Sequence, residues 1–162
     1  MSIEAEASAP RGTLEFVLNG ERVSLAGIDG TRTVLTWLRE ERGLCGTKEG
    51  CAEGDCGACT VVLVERDPLR YAPVNACILC LGALDGRELV TVEGLKKDGA
   101  LHPVQQAMAD CHGSQCGFCT PGFVMALHAH AQRGGQGSVC DALAGNLCRC
   151  TGYKPILEAG AR

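Results

Sequence analysis

Cysteine spacing in the first half of the sequence is the feature that most directly indicates chemistry. Cys51, Cys56 and Cys59 follow the pattern C-x4-C-x2-C, and Cys77 comes after 17 intervening residues. Four cysteine thiolates in this arrangement are a ligand set for a cluster of two irons and two sulfides. Cys80 lies close enough to Cys77 in the sequence to compete with it for the fourth ligand position. The pattern therefore predicts a 2Fe-2S cluster in this half.

Glycine residues surround this first cysteine group, at Gly50, Gly54 and Gly57. Four thiolates bring negative charge into a small volume, so the backbone must curl around them and point N–H groups at the sulfurs, which glycine allows. Free core thiols or a zinc site are the alternatives. Three cysteines within one short loop plus one distant cysteine match the iron-sulfur pattern better than the two spaced pairs that are typical of zinc sites.

A second cysteine group lies near the C-terminus. Cys116 and Cys119 form C-x2-C, and Cys148 and Cys150 form C-x-C after a further 28 residues. Each pair comes just before a predicted helix, whose first N–H groups favour negative charge. On spacing alone zinc remains an alternative, and the first group favours iron again. A disulfide between cysteines as close as Cys148 and Cys150 would be strained.

Twelve cysteines in 162 residues would suggest a disulfide framework if the protein were secreted. The N-terminal run MSIEAEASAPRG has acidic residues where an export signal needs basic and then apolar ones, so we expect a cytoplasmic protein. There, clustered cysteines are metal ligands or redox catalysts. A dithiol oxidoreductase that uses Cys56 and Cys59, or Cys116 and Cys119, is a further alternative, but no thioredoxin-like βαβ pattern supports it.

Composition and charge exclude several other classes of protein. With 46% hydrophobic and 21% charged residues, the chain is expected to fold as a globular protein. The net charge of -4 and an aromatic content of 4% argue against nucleic acid as a partner. No apolar window approaches the roughly 18–20 residues that span a bilayer, so we expect no membrane partner. Residues 1–12 are small, polar and unpatterned, and we expect a loose tail there.

The elements that must position the first cysteine group are short strands and one helix. Residues 13–26 alternate apolar and polar side chains around Asn19-Gly20, which predicts a β-hairpin. A helix is predicted over 33–42, with Asp29 and Thr31 as its cap candidates. Further strands are predicted at 60–65 and 88–92. The residues between Cys59 and Cys77 are enough for one strand out and one strand back.

The second half has a helical pattern from about residue 96. Helices are predicted at 103–111, 122–132, 138–146 and 154–161. Pro103, Pro121 and Pro155 stand near the starts of three of them, where a missing N–H does little harm. The boundary between the halves is predicted at 94–99. The fold class is therefore α+β, with a sheet domain at 13–95 followed by a helical domain at 96–162.

The chain closely resembles the iron-sulfur part of the xanthine dehydrogenase family of molybdenum hydroxylases over residues 13–159. Within that family, the chain resembles the small subunit of bacterial xanthine dehydrogenases. The resemblance is carried by five motifs, which are GTKEGCAEGDCGACTVV, VNAC, LHPVQQAM, HGSQCGFCTPGFVM and AGNLCRCTGYKPIL. It implies a ferredoxin-like β-grasp domain followed by a four-helix bundle, each with one 2Fe-2S cluster.

The resemblance also implies a role for each cysteine group. The ligands of the cluster that faces the flavin would be Cys51, Cys56, Cys59 and Cys77. Those of the cluster that faces molybdenum would be Cys116, Cys119, Cys148 and Cys150. Gln115 corresponds to a residue that touches the molybdopterin, and Cys150 would lie close to the same pterin. The chain would then transfer electrons and would contain no catalytic residue.

By the same resemblance, the chain works as one subunit of an oxidoreductase. A molybdenum-binding large subunit would hydroxylate the substrate, most simply xanthine, and electrons would pass through both clusters to FAD and then to NAD or another acceptor. An aldehyde, carbon monoxide, nicotinate or aromatic acyl-CoA enzyme is the alternative. A flavin domain usually follows in the bacterial small subunit, whereas this chain stops at Arg162. Either the FAD is expected on a third chain, as in related three-subunit hydroxylases, or this chain is a truncated or separately encoded iron-sulfur module.

A few other residues attract attention and are not assigned to a metal. We expect His128 and His130 to be surface or hydrogen-bonded core residues, because residues two apart on a helix face different directions. His102 is expected to make a cap or backbone contact. Trp37 is expected to pack between the first helix and the sheet.

Overall fold

The structure is a computed structural model that describes residues 12–162. The loose tail predicted for 1–12 therefore lies outside the described residues, apart from Gly12. Five strands, five α-helices and two 3-10 helices follow one another along the chain, and the predicted α+β class is confirmed. Their bounds are β1 Thr13–Leu18, β2 Glu21–Ala26, α1 Val34–Glu40, β3 Thr60–Arg66, β4 Leu69–Asn75, 3-10 Leu81–Leu84, β5 Glu88–Val90, 3-10 Val92–Leu95, α2 Pro103–Asp110, α3 Thr120–Gln132, α4 Val139–Ala142 and α5 Lys154–Gly160.

The first two strands form the predicted hairpin. β1 and β2 pair antiparallel, with Leu18 opposite Glu21 next to the turn. Asn19 and Gly20 both have positive φ, at 52° and 88°. Two consecutive positive φ values define the tight turn whose twist matches that of the flanking strands, which explains the Asn-Gly pair.

The five strands form one mixed sheet in the order β2-β1-β5-β3-β4. β5 is parallel to β1 and antiparallel to β3, and β3 pairs antiparallel with β4. β3 and β4 are the strand out and the strand back that were predicted between Cys59 and Cys77. β5 ends at Val90, two residues earlier than predicted, because a 3-10 helix begins at Val92.

Helix α1 covers one face of the sheet. Trp37 is fully buried there, and its ring meets that of Phe16 edge to face at 5.4 Å between centroids, as expected for helix-to-sheet core. The cap prediction was wrong. Thr33 caps the helix, with its Oγ1 accepting from the N–H of Thr36 at 3.2 Å. Asp29 instead accepts from the N–H of Thr31 in a turn before the helix.

Strand β3 is buried on both faces and joins the two halves of the chain. Val61 and Leu63 belong to the core under α1, whereas Val62 and Val64 belong to the core under α3. Successive side chains of a strand point to opposite faces, so the sheet is packed between α1 and α3. The two halves of the chain therefore both pack against this strand. The domain boundary near 94–99 stays a prediction.

The helical half agrees with the prediction in three of its four helices. Pro103, Pro121 and Pro155 lie in the first turns of α2, α3 and α5. α4 is a single turn that ends at Ala142 rather than at 146. His102 caps α2, as expected, in a capping box with Gln105. Among the described helices, none is both long and apolar enough to cross a membrane.

The other two helical histidines were expected to be surface or hydrogen-bonded core residues, and this expectation was wrong for the hydrogen bonding of His128. His128 and His130 are both buried, at 7% and 6% exposure. Helix α3 is buried on nearly every side between the sheet and the other helices, so opposite faces are both covered. His130 is therefore a core residue, and His128 is a core residue whose Nδ1 has no hydrogen-bond partner among residues 12–162.

Candidate metal centres

The first cysteine group lies where β3 begins and β4 ends. Thr60 at the start of β3 pairs with Asn75 at the end of β4. Cys59 and Cys77 flank this pair and are both buried, and the N–H of Ala76 donates to the carbonyl of Cys59 at 3.2 Å. The hairpin thus returns Cys77 to the cysteine loop. Cys80, the competitor for the same position, is exposed.

The loop from Cys51 to Cys56 wraps around the sulfur of Cys51. The N–H groups of Asp55 and Cys56 each approach this sulfur at 3.4 Å. N–H groups of Glu53, Cys56 and Asp55 lower the pKa of Cys51 to about 6. This backbone therefore stabilises negative charge on sulfur, as a bound thiolate requires.

The four thiols of the first group interact as two pairs. Cys51 interacts with Cys56, and Cys59 interacts with Cys77. Burial raises the pKa of Cys59 to about 12, and the neighbouring thiols of Cys77 and Cys56 contribute. Gathering four thiolates here without a cation is unfavourable. A coordinated metal offsets that cost because its positive charge stabilises the deprotonated thiols.

Gly50 leaves the space that Cys56 occupies. A Cβ atom at this position would lie 2.7 Å from the sulfur of Cys56, well inside van der Waals contact. The backbone at Gly50 therefore approaches the sulfur more closely than any other residue would permit.

The second cysteine group lies at the starts of α3 and α5. Cys119 is the N-cap of α3, and Cys148 and Cys150 lie in the loop before α5. The thiols again form two pairs, with Cys119 facing Cys148 and Cys116 facing Cys150. Each pair therefore takes one cysteine from the C-x2-C motif and one from the C-x-C motif.

Tyr153 and Thr151 organise the loop that carries the C-x-C motif. The hydroxyl of Tyr153 accepts from the N–H of Cys148 at 2.9 Å, and the Thr151 hydroxyl lies 3.1 Å from the Cys148 sulfur. Tyr153 has a positive φ of 68°, so the chain turns sharply into α5 at this point. Neither residue was singled out from the sequence, since a lone Tyr or Thr carries no pattern.

The electrostatics of the second group resemble those of the first. Burial, followed by the Cys148 thiol, raises the pKa of Cys119 to about 12. Burial also acts to raise the pKa of Cys148, but hydrogen bonds from Thr151 and Cys150 outweigh it and the pKa is lowered. Contact with Cys116 raises the pKa of Cys150. These thiols also need a cation to ionise together.

The second group opens to the surface. A cavity of about 390 Å³ is lined by its cysteines and by Phe118, Leu147, Arg149 and Tyr153. Cys116 and Cys150 in its lining are exposed, and so is Gln115, which precedes Cys116 in the sequence. The Gln115 and Cys150 side chains are therefore accessible to a partner, whereas the sulfurs of Cys119 and Cys148 lie deeper.

The arrangement of the thiols at these two sites can accommodate 2Fe-2S clusters. Among residues 12–162 no three His, Cys, Asp or Glu side chains converge on one ion-sized position. The thiols are arranged two and two at each site, which is the ligand arrangement for two irons bridged by sulfide. All twelve cysteines are free thiols.

The two sites touch each other directly, which was not predicted. The N–H of Leu147, next to Cys148, donates to the carbonyl of Cys56 at 3.0 Å. The buried side chain of Asn146 donates to the carbonyl of Gly57 at 2.9 Å. A loop from each cysteine group thus meets its counterpart through hydrogen bonds.

Comparisons with known proteins agree with this geometry. A family model described as a 2Fe-2S iron-sulfur cluster binding domain matches residues 16–82, and one described as a 2Fe-2S binding domain matches residues 91–161. Quinoline 2-oxidoreductase from Pseudomonas putida 86 superposes with a TM-score of 0.81 at 32% identity. The match covers 91% of this chain and 89% of that chain. The chain belongs to the iron-sulfur proteins of the molybdenum hydroxylase family.

Two curated relatives are similar over nearly the whole chain. Xanthine dehydrogenase of Blastobotrys adeninivorans is 48% identical over 154 residues, which is 90% of this chain. Aldehyde oxidase 2 of Rattus norvegicus is 46% identical over 155 residues, or 91% of this chain. This chain spans only 11% and 12% of the lengths of these relatives. The predicted family resemblance and the two 2Fe-2S binding domains are thereby confirmed, and the chain corresponds to the iron-sulfur part of these oxidoreductases.

Proposed function

We propose that this chain relays electrons between a molybdenum site and a flavin as the iron-sulfur part of a xanthine dehydrogenase. The observation that carries the proposal is the direct contact between the two cysteine loops. Leu147, next to Cys148, is hydrogen bonded to the carbonyl of Cys56. Two redox centres held by adjoining loops can exchange electrons over a short path, whereas two structural zinc sites would not need to lie next to each other.

The cysteines have the roles of ligands in this proposal. One group is Cys51, Cys56, Cys59 and Cys77, and the other is Cys116, Cys119, Cys148 and Cys150. Each 2Fe-2S cluster, when bound, supplies a carrier for one electron at a time. The chain's own contribution is to hold the thiolates, direct N–H groups at their sulfurs and exclude water from the buried ones.

The exposed edge of the second group suits a partner that carries molybdopterin. Cys150 is exposed and lines the 390 Å³ cavity, and Gln115, which precedes Cys116 in the sequence, is exposed too. At the first group, Ile78 is 60% exposed and lies against the turn at Gly54, which supports docking of a flavin-bearing subunit or domain there. Electrons would then leave the flavin for NAD or another acceptor.

Xanthine is the substrate we favour, because the xanthine dehydrogenase relative is 48% identical to this chain. Aldehyde oxidase 2 is nearly as similar, at 46%, and a quinoline oxidoreductase shares the fold. An aldehyde or an N-heterocycle hydroxylase is accordingly the second candidate. The substrate would be bound by the partner, and nothing in the two cysteine sites distinguishes these cases.

The test is to remove one cluster from the complete complex. In the enzyme assembled with its molybdenum-binding and flavin-binding partners, Cys148→Ser is expected to abolish turnover linked to the acceptor. Cys140→Ser is the matched control, because Cys140 is an exposed thiol outside both groups. Full turnover of Cys148→Ser with a natural acceptor would refute the relay.

A further inference from the structure

The backbone carbonyl of Gly57 is a meeting point for both cysteine groups. This oxygen accepts from the side-chain amide of Asn146 at 2.9 Å and from the hydroxyl of Thr60 at 2.7 Å. The same amide also lies 3.2 Å from the Thr60 hydroxyl. Gly57 lies between Cys56 and Cys59, and Asn146 lies two residues before Cys148. Residues 57, 60, 122 and 146 are called the junction below.

The junction is packed too closely for any larger residue. A Cβ atom at Gly122, in the first turn of α3, would lie 2.2 Å from the Gly57 oxygen. A Cβ atom at Gly57 would lie 2.6 Å from the Asn146 amide nitrogen and 2.3 Å from the oxygen of Gly145. Gly57 also has a positive φ of 69°. Three segments that each carry a cysteine therefore meet within van der Waals distance of one carbonyl group.

Asn146 is a buried polar residue whose hydrogen bonds cross between the halves. It is 6% exposed, and its two bonds span 89 and 86 residues of sequence. Gly57 keeps two other donors, the N–H and the hydroxyl of Thr60. Removal of the amide would therefore leave the first cysteine loop hydrogen bonded within itself and would take away its side-chain hydrogen bond to the second loop, while the backbone bond from Leu147 to Cys56 remains.

We propose that Asn146 is a positioning residue that fixes the distance and orientation between the two cysteine sites, and thereby the electronic coupling between the clusters they hold. The proposal rests on the proposed function, because it needs both clusters. It goes beyond that function in assigning the coupling to one side chain outside both ligand sets.

The test compares spin coupling in the full chain loaded with iron and sulfide and reduced with dithionite. Two reduced clusters close together split each other's EPR signals at low temperature, and the splitting depends on their separation and orientation. Asn146→Ala is expected to keep both cluster signals and to reduce the splitting. A role in stability alone would lower the yield of loaded protein without changing the splitting of the protein that is loaded.

Asn75→Ala is the matched control. Its amide also donates to a glycine carbonyl of the same cysteine loop, that of Gly54 at 2.5 Å, but makes no bond to the second cysteine group. Its splitting is expected to equal that of the unaltered chain. Should Asn146→Ala not load both clusters, Asn146→Leu keeps a side chain of similar size without the amide donor and is expected to reduce the splitting.

The outcomes separate the two proposals. Unaltered splitting in Asn146→Ala, or in Asn146→Leu where that variant replaces it, would overturn the positioning role while leaving the relay intact. Absence of both iron-sulfur signals from the unaltered chain would overturn the relay itself and the positioning role with it. Reduced splitting with both signals retained, together with a normal Asn75→Ala control, would support the role of Asn146.

Discussion

A buried histidine makes the stability of this protein sensitive to mild acid. His128 lies on α3 with its ring 4.9 Å from that of His102 and 6.5 Å from that of Tyr71. Its Nδ1 atom has no hydrogen-bond partner within the described residues. Burial, and then the proximity of His102, lower the pKa of His128 from 6.5 to about 4. The folded state therefore holds a neutral imidazole.

The sign of the effect follows from the two pKa values. Between pH 6.5 and about 4, the unfolded chain binds a proton at His128 that the folded protein does not bind. The stability that the neutral ring provides is fully present above pH 6.5 and is lost as the pH falls towards 4. One pKa unit is worth about 1.4 kcal/mol, so the loss between about pH 7 and about pH 5 is on the order of 2 kcal/mol.

His128→Phe tests this reasoning, because it keeps an aromatic ring in the same place and cannot take up a proton. The free energy of unfolding is measured with urea at both pH values for the two proteins. Every other titratable group, including Tyr71 and Lys97 nearby, is present in both proteins, so the comparison isolates His128. His102 also titrates in both, with a pKa that is lowered by burial and then by Lys97. Equal pH dependence of the two proteins would refute the argument.

Three further substitutions test the packing around the clusters. Gly50→Ala places a Cβ 2.7 Å from the sulfur of Cys56, so we expect loss of the first cluster's visible absorption, and unchanged absorption would contradict the assignment. Gly122→Ala places a Cβ 2.2 Å from the oxygen of Gly57. It is expected to lower the free energy of unfolding by about 1–3 kcal/mol, and an unchanged urea midpoint would contradict this. Trp37→Ala removes a fully buried side chain and is expected to lower the free energy of unfolding by about 3–5 kcal/mol. A decrease below about 1 kcal/mol would contradict this prediction.

Gly145→Ala is the control for both glycine substitutions. No heavy atom lies within 4 Å of a Cβ built at Gly145, although this residue is adjacent to Asn146. We expect normal visible absorption and a free energy of unfolding within about 0.5 kcal/mol of that of the unaltered protein.

Features encoded in short stretches of sequence were predicted well. Asn19-Gly20 specified its turn because few other pairs adopt two positive φ values. Pro103, Pro121 and Pro155 marked helix starts because proline fits only the first turn. The cap of α1 was missed because three nearby residues, Asp29, Thr31 and Thr33, can all cap a helix, and only the structure shows which one does.

Features that depend on contacts between distant segments were not predicted. α4 ends after one turn, and the chain continues as a loop to Asn146. The Asn146 side chain is hydrogen bonded to Gly57, which is 89 residues away in the sequence. No periodicity or spacing in the sequence reports such a contact. Whether His128 lies at the surface or in the core was left open for a similar reason, because α3 is covered on one side by β3, a strand from the other half of the chain.

The most direct test of the two-cluster assignment is the metal and sulfide content of the purified chain, measured with its visible spectrum before and after addition of dithionite. Two 2Fe-2S clusters predict about four iron and four acid-labile sulfide per chain, with a brown colour that bleaches on reduction. A colourless protein that contains zinc and no acid-labile sulfide would contradict the account.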